Sequence, residues 1–230
     1  MALLDGGRKL VTSAYQDKSL RVWDLVREKE AGTLNLPDGS FILQSVTPEG
    51  KTIALGGGTG NVVVMDGHTG KVLQTLQAGG DAIYGAAFTP DGRKLVVCHS
   101  QDNMIRVWDL VAGKVVHTYS FLDAPDPGRP PAGGGRPVYY NAVSPDRRLI
   151  ALGSQFRFLE VRDLLTGEVL QRVNDLPDGV CPMAFSPDGR TLAWAGWKSA
   201  TVHLIEVATG RERHSFPGKI GRVIPLSFGY

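Results

Sequence analysis

Cysteine is scarce in this chain: only Cys98 and Cys181 occur, and neither stands in a CxxC pair or a Cys/His cluster. That scarcity excludes a disulfide framework and a cysteine-based zinc site, and it fits a reducing compartment. Long apolar runs are missing too. No stretch approaches the roughly 20 apolar residues that a membrane span needs. No apolar segment follows a basic start, so a signal peptide is not expected. Neither charge sign dominates: 25 Lys and Arg face 23 Asp and Glu, a net charge of +2. This balance gives no electrostatic reason to bind nucleic acid or an acidic membrane surface. An apolar stripe at helical spacing is absent as well. These absences together point to a cytoplasmic domain with no nucleic-acid or membrane partner.

What the chain has in plenty is turn chemistry, with 29 glycines and 14 prolines among 230 residues. Such a composition predicts short strands joined by tight turns. A hydrophobic content of 42% is ample for a substantial core.

Self-similarity organises the turns. "LDGGRKLVTS" (4–13), "TPEGKTIALG" (47–56), "TPDGRKLVVC" (89–98), "SPDRRLIALG" (144–153) and "SPDGRTLAWA" (186–195) are five copies of one motif. A second motif follows each copy: "LRVWDL", "VVVMDG", "IRVWDL", "LEVRDL" and "HLIEVATG". Its central position falls at Trp23, Met65, Trp108, Arg162 and Ile205, at spacings of 42, 43, 54 and 43. The one long spacing contains an inserted Pro/Gly-rich loop, "DAPDPGRPPAGGGRP" (123–137). It has the composition of a mobile loop rather than a packed core, with only a weak PxxP match in "PGRP".

Each unit resolves into four short strands. In the third, "AIYGAAFT" leads into a turn at Pro90-Asp91-Gly92, where proline presets φ and glycine takes the positive-φ position. "KLVVCHS", "MIRVWDL" and "KVVHTYSF" supply the remaining strands, with alternation typical of half-packed sheets. The predicted blades are approximately 41–77, 82–121, 137–174 and 180–216, preceded by a first unit at 9–36 that lacks its inner strand.

The SPDG turn and the terminal Trp23-Asp24 and Trp108-Asp109 pairs resemble the WD-repeat β-propeller family, bacterial type, across essentially the whole chain. "NVVVMDGHTGKVLQTL" is also similar to bacterial surface and quinoprotein propellers. The resemblance implies an all-β fold, a β-propeller of about five four-stranded antiparallel blades in one domain, 1–230. It also assigns Asp17 and Asp102 as turn aspartates and Trp23 and Trp108 as the structural tryptophans. The family's Gly-His ahead of each first strand is missing, because those places read "LPDGS", "QAGGD", "LPDGV" and "FPGKI". Without that histidine the family's buried hydrogen-bonded set cannot form, and blade rigidity is expected to rest on packing.

The terminal "RVIPLSF" (222–228) matches the strand missing from the first unit, with Phe228 in line with Phe88 and Phe185. Two arrangements follow from this match. One is a five-bladed ring whose first blade is closed by the C-terminal strand, which would cover an otherwise bare edge. The other is a segment of a longer array.

Candidates for chemistry are few. His68 lies in a turn, and the other histidines lie in or beside strands at places that ordinary residues occupy in other units. Both cysteines read as small buried hydrophobes. The aspartates of "PDG" serve turns. The innermost strands lack the axial carboxylates of five-bladed sugar-polymer hydrolases, and Gly56–Gly60 lacks the Lys and helix of a phosphate cradle. No catalytic residue, metal ligand or cofactor is assigned.

What remains is a surface. In a propeller, the connections between second and third strands emerge with the inter-blade connections on one face. Candidate partner-binding residues there are Tyr15, Lys18, Gln101, Phe156, Arg157, Trp197 and Lys198, with Tyr84 and Tyr139 near the mouth of the channel. Aromatic residues and arginine dominate binding energy where a partner buries them. The resulting expectation is a non-catalytic scaffold that binds a protein or peptide; bacterial WD arrays of this kind are often appended to signalling proteins such as kinases. The alternative is a lectin-like propeller for small ligands or carbohydrate. It would need equivalent loops, yet "YQDK", "GTGN", "SQDN", "QFRF" and "WKSA" diverge.

Overall fold

A computed structural model describes residues 1–13, 19–37, 41–58, 60–79, 82–99, 104–120, 140–153 and 157–218; of Tyr84, Tyr140 and Cys181 it describes the backbone alone. The described residues form five four-stranded antiparallel sheets, each continuous in sequence order, the blades of a β-propeller. The first holds β1 (Ala2–Leu4), β2 (Lys9–Ser13), β3 (Ser19–Asp24) and β4 (Lys29–Asn35). The second holds β5 (Phe41–Val46), β6 (Thr52–Gly57), β7 (Asn61–Asp66) and β8 (Val72–Gln77). The third holds β9 (Ile83–Phe88), β10 (Lys94–His99), β11 (Met104–Asp109) and β12 (Lys114–Ser120). In the fourth are β13 (Tyr140–Val143), β14 (Leu149–Gly153), β15 (Leu159–Asp163) and β16 (Val169–Val173). In the fifth are β17 (Val180–Phe185), β18 (Thr191–Gly196), β19 (Val202–Glu206) and β20 (Glu212–Phe216). The chain divides into two compact units, Met1–Thr118 and Tyr119–Tyr230. No helix among the described residues is long and apolar enough to cross a membrane.

The alternation of side chains along a strand explains the packing. In β7, Val63 and Met65 join a core with Leu20, Val22, Ile53 and Leu55, between the first two sheets. Val62 and Val64 face the other way, into a core with Phe88, Leu95, Val97 and Trp108 of the third. A middle strand buried on both faces must therefore be apolar at every position, which is why "VVVM" runs unbroken. In the second unit, Ala151, Leu159 and Val161 pack against Met183, Phe185, Leu192, Trp194 and Ile205. Close sheet approach also requires small residues: a Cβ on Gly56 would come within 2.8 Å of the Ile83 Cβ.

Turns repeat with the sheets. In the Thr/Ser-Pro-Asp turns, Thr89 Oγ1 donates to Asp91 at 2.5 Å and Ser186 Oγ donates to Asp188 at 2.6 Å. The same carboxylates accept the N–H groups of Arg93 and Arg190, so the expected turn role of these aspartates holds. At the end of each third strand but the last, Asp24, Asp66, Asp109 and Asp163 accept N–H groups two and three residues on. The Trp-Asp aspartate is thus a turn-closing acceptor.

One expectation needs correction. The first sheet does not lack its inner strand, because Ala2–Leu4 pairs antiparallel with Lys9–Val11. Positive φ at Asp5, Gly6 and Gly7 lets the chain reverse at once, and Leu4, 1% exposed, anchors the short strand in the core. Three residues were too few to carry a recognisable period. The place assigned to 222–228 beside β2 is occupied, and 222–228 itself lies outside the described residues.

The central position of the third strand differs between sheets. Trp23 Nε1 donates to Thr12 Oγ1 at 3.1 Å. Trp108 is buried, but Val97 stands where the register places Thr12 in the first sheet, and its Nε1 has no partner among the described residues. In the fourth sheet Arg162 takes this position beside a fully buried Glu160. Arg162 Nε and Nη2 both lie 2.7 Å from Glu160 Oε2, and Arg172 reaches Oε1 at 3.0 Å. Arg162 Nη1 also donates to the Ser120 and Gly167 carbonyls at 3.0 and 3.1 Å.

Candidate functional site

In the second unit, three connections meet at one end of the two sheets. They are the β14–β15 connection, of which 157–158 is described, the 174–179 crossing from β16 to β17, and the β18–β19 turn at 197–201. Main-chain hydrogen bonds tie them together. Leu176 N–H donates to the Arg157 carbonyl and Trp197 N–H to the Gly179 carbonyl, each at 2.8 Å. These contacts match the expectation, within this unit, that second-to-third-strand connections and inter-sheet crossings share one face.

Asp178 is the centre of the assembly. One carboxylate oxygen accepts Lys198 N–H at 2.7 Å and Ser199 N–H at 2.8 Å; the other accepts Gly179 N–H at 2.7 Å. Partial burial works against its charge, but the N–H groups of Ser199, Lys198 and Gly179 and the Ser199 hydroxyl outweigh that penalty and hold its pKa below the ordinary carboxylate range. Asp178 belongs to "LPDGV", the place where the resembling family carries histidine. A polar bridge between crossing and turn exists here after all, made by a carboxylate and main-chain donors. Rigidity in this sheet therefore does not rest on packing alone.

Around this bridge lies an open cleft of about 720 Å³, lined by Arg157, Asp178, Trp197, Lys198, Ser199 and His203, among others. Arg157 has φ of 65°, unusual for a residue with a Cβ. Its Nε donates back to the Leu176 carbonyl, so the strained residue is held at both main chain and side chain. His203 is 5% exposed and stacks on Trp194, with ring centroids 4.1 Å apart and planes 9° apart. Its Nδ1 lies 2.8 Å from Glu212 Oε2.

Of the residues marked in the sequence, Arg157, Trp197 and Lys198 come together around this one cleft. Tyr15, Asp17, Lys18, Gln101, Asp102, Tyr139 and Phe156 lie outside the described residues, and Tyr84 lies in β9 with its side chain undescribed. Asp178 and His203 were not marked, although the substitution of "PDG" for the family's Gly-His could have singled out the first. Nothing in the sequence pointed to the second, since its register opposite Trp194 exists only once β18 and β19 pair.

A second cleft of similar size, about 730 Å³, is lined by turn residues Asp188–Thr191 and Glu206–Ala208 with Leu149, Val161, Leu170 and Arg213. Its charges are largely satisfied internally: Asp188 caps its own turn, and Glu206 bonds Thr209 and pairs with Arg213. Cys98 is buried, and desolvation pushes its thiol up to about 12, outside any reactive range. Among the described residues no group of three or more His, Cys, Asp or Glu side chains could hold a metal ion.

Comparison with known proteins agrees with the sheets. Residues 70–109 match the family model described as WD domain, G-beta repeat. Over 161 residues, 70% of this chain and 49% of the relative, it is 26% identical to the WD repeat-containing protein SL1-17 of Schistosoma mansoni. It is 30% identical over 100 residues to the small ribosomal subunit protein RACK1y of Oryza sativa subsp. japonica, covering 44% of this chain and 29% of that protein. An uncharacterized WD repeat-containing protein of Synechocystis, sll1491, is 28% identical over 110 residues, 48% of this chain and 31% of its own length. The matches thus span half or less of each relative's length.

Proposed function

We propose that the chain, which is similar to WD-repeat proteins, is a non-catalytic scaffold presenting the loop end of its sheets to a protein or peptide partner. WD-repeat proteins are typically protein-interaction scaffolds. The observation that carries the proposal is the convergence of Arg157, Trp197 and Lys198 on one open cleft. Its framework is rigid, because Asp178 pins the β18–β19 turn to the preceding crossing. Trp197 is half-buried and Arg157 and Lys198 are exposed, so a partner can cover an aromatic face and two cationic groups together. A pre-held surface of this kind loses little entropy on binding.

Partner capture by the immobilised chain tests the proposal. Trp197→Ala is expected to weaken capture by about tenfold or more, as removal of a hot-spot aromatic does, while thermal unfolding stays close to that of the parent. Undiminished capture would place the interaction elsewhere.

A further inference from the structure

The cleft carries a charge preference that goes beyond the scaffold reading and rests on it. Three charged side chains line it, Arg157, Asp178 and Lys198, and their charges do not cancel at the cleft surface. Both oxygens of Asp178 are already consumed by main-chain N–H groups, three bonds in all. Its charge is thereby spread into the peptide groups of the crossing and of the β18–β19 turn. Arg157 spends only Nε, on the Leu176 carbonyl; among the described residues its two terminal nitrogens and the Lys198 ammonium have no partner. Two cations thus face open space beside the indole of Trp197.

His203 adds a fixed polar atom. Its ring is held by stacking on Trp194 and by the bond from Nδ1 to Glu212. That leaves Nε2 as the second polar atom of the ring. It is buried and has no partner among the described residues, a state that a native protein rarely leaves uncompensated.

We propose that this cleft binds an acidic segment of a partner protein, with an Asp or Glu carboxylate between the Arg157 guanidinium and the Lys198 ammonium against Trp197. The planar guanidinium fork matches a carboxylate's two oxygens, the ammonium adds a point charge, and the indole supplies apolar area to the ligand's methylenes. Arg157 holds a positive φ. Glycine would sit there without strain, which makes Arg157→Gly a clean removal of the side chain.

The test uses the whole chain and two fluorescein-labelled peptides, one alternating Glu and Gly and the other identical with Gln for Glu, followed by anisotropy at low and physiological salt. The expected result is saturable binding of the Glu peptide, about tenfold tighter than the Gln peptide and weakening with salt. Lys198→Gln, at an exposed site, should remove most of that preference. Arg157→Gly should also remove it while leaving thermal stability equal or higher, an outcome that a purely structural arginine would not produce. Absence of saturable binding, equal affinity for both peptides, or a preference surviving both substitutions would overturn the inference. A phosphoserine peptide that binds where the Glu peptide does not would overturn it equally. The scaffold reading is judged separately by partner capture with Trp197→Ala: capture lost there, with no Glu preference, sinks the acidic-ligand inference alone.

Discussion

Replacing Glu160 by glutamine probes the least repeat-like feature of the molecule. The Glu160 side chain is fully buried, Arg162 is 5% exposed and Arg172 is 21% exposed. Glutamine keeps the shape but removes the charge that compensates Arg162. That guanidinium then retains only neutral acceptors, the carbonyls of Ser120 and Gly167 among them. Leaving a buried charge uncompensated costs about 3–5 kcal/mol, and the surviving carbonyl contacts place Glu160→Gln near the lower end, about 3 kcal/mol. Arg172→Met removes a contact at the wetter edge and should cost only about 1 kcal/mol. The sharper comparison is the double variant Glu160→Val with Arg162→Met. It installs the residues that β7 carries in the same register, Val63 and Met65. Because replacing a buried pair with apolar side chains is often neutral or stabilising, the double variant should recover most of the single-variant loss. Urea unfolding followed by tryptophan emission reads the midpoints, with unchanged slopes, and amide exchange in β15 locates the effect in the second unit. The reasoning fails if Glu160→Gln lies within about 0.5 kcal/mol of the parent, or if the double variant loses as much as Glu160→Val and Arg162→Met, each made alone, added together.

Three further predictions follow from the same structure. Thr12→Val removes the acceptor of Trp23 Nε1 and should cost about 1 kcal/mol, whereas Val97→Thr supplies Trp108 with the acceptor it lacks and should not destabilise, despite burying a hydroxyl; chemical unfolding of the two variants gives both signs. In acid, Asp91 and Asp178 titrate below 3.8 in the folded chain, Asp91 chiefly because Thr89 donates to it, Asp178 because turn donors overcome its burial. A depressed folded value means that their stabilisation is complete above about 3.8 and is lost as pH falls through the lower folded values. Unfolding free energy should therefore drop below pH about 4, and Asp178→Asn should make that acid limb shallower; an identical limb refutes the assignment. Cys98 should resist thiol reagents until the chain unfolds, because its thiol is buried and pushed up to about 12; rapid labelling of native Cys181→Ser protein would contradict this.

Much of the architecture was legible in the chain itself, for local reasons. A turn such as Thr89-Pro90-Asp91-Gly92 is closed by its own side chains, so its chemistry recurs wherever its letters recur. Strand burial follows from alternation, and the unbroken apolar run of β7 announces a strand covered on both faces. Arg157, Trp197 and Lys198 could be marked because sheet topology sends their loops to one end. Other features needed the folded coordinates. A three-residue strand such as Ala2–Leu4 has no period, and it forms because a positive-φ reversal returns it to a core that Leu4 can enter.

By itself, then, the sequence determined the repeat, its turns and the strand order within the last four sheets, since all of these depend on residues close together in the chain. Tertiary structure alone decided which side chains neutralise one another. Asp178 with the 198–199 amides, His203 with Trp194 and Glu212, and Glu160 with two arginines are each set by register and by the approach of separate strands and loops. Charge and hydrogen-bond compensation act over distances of a few ångströms, and those distances exist only after the sheets have packed.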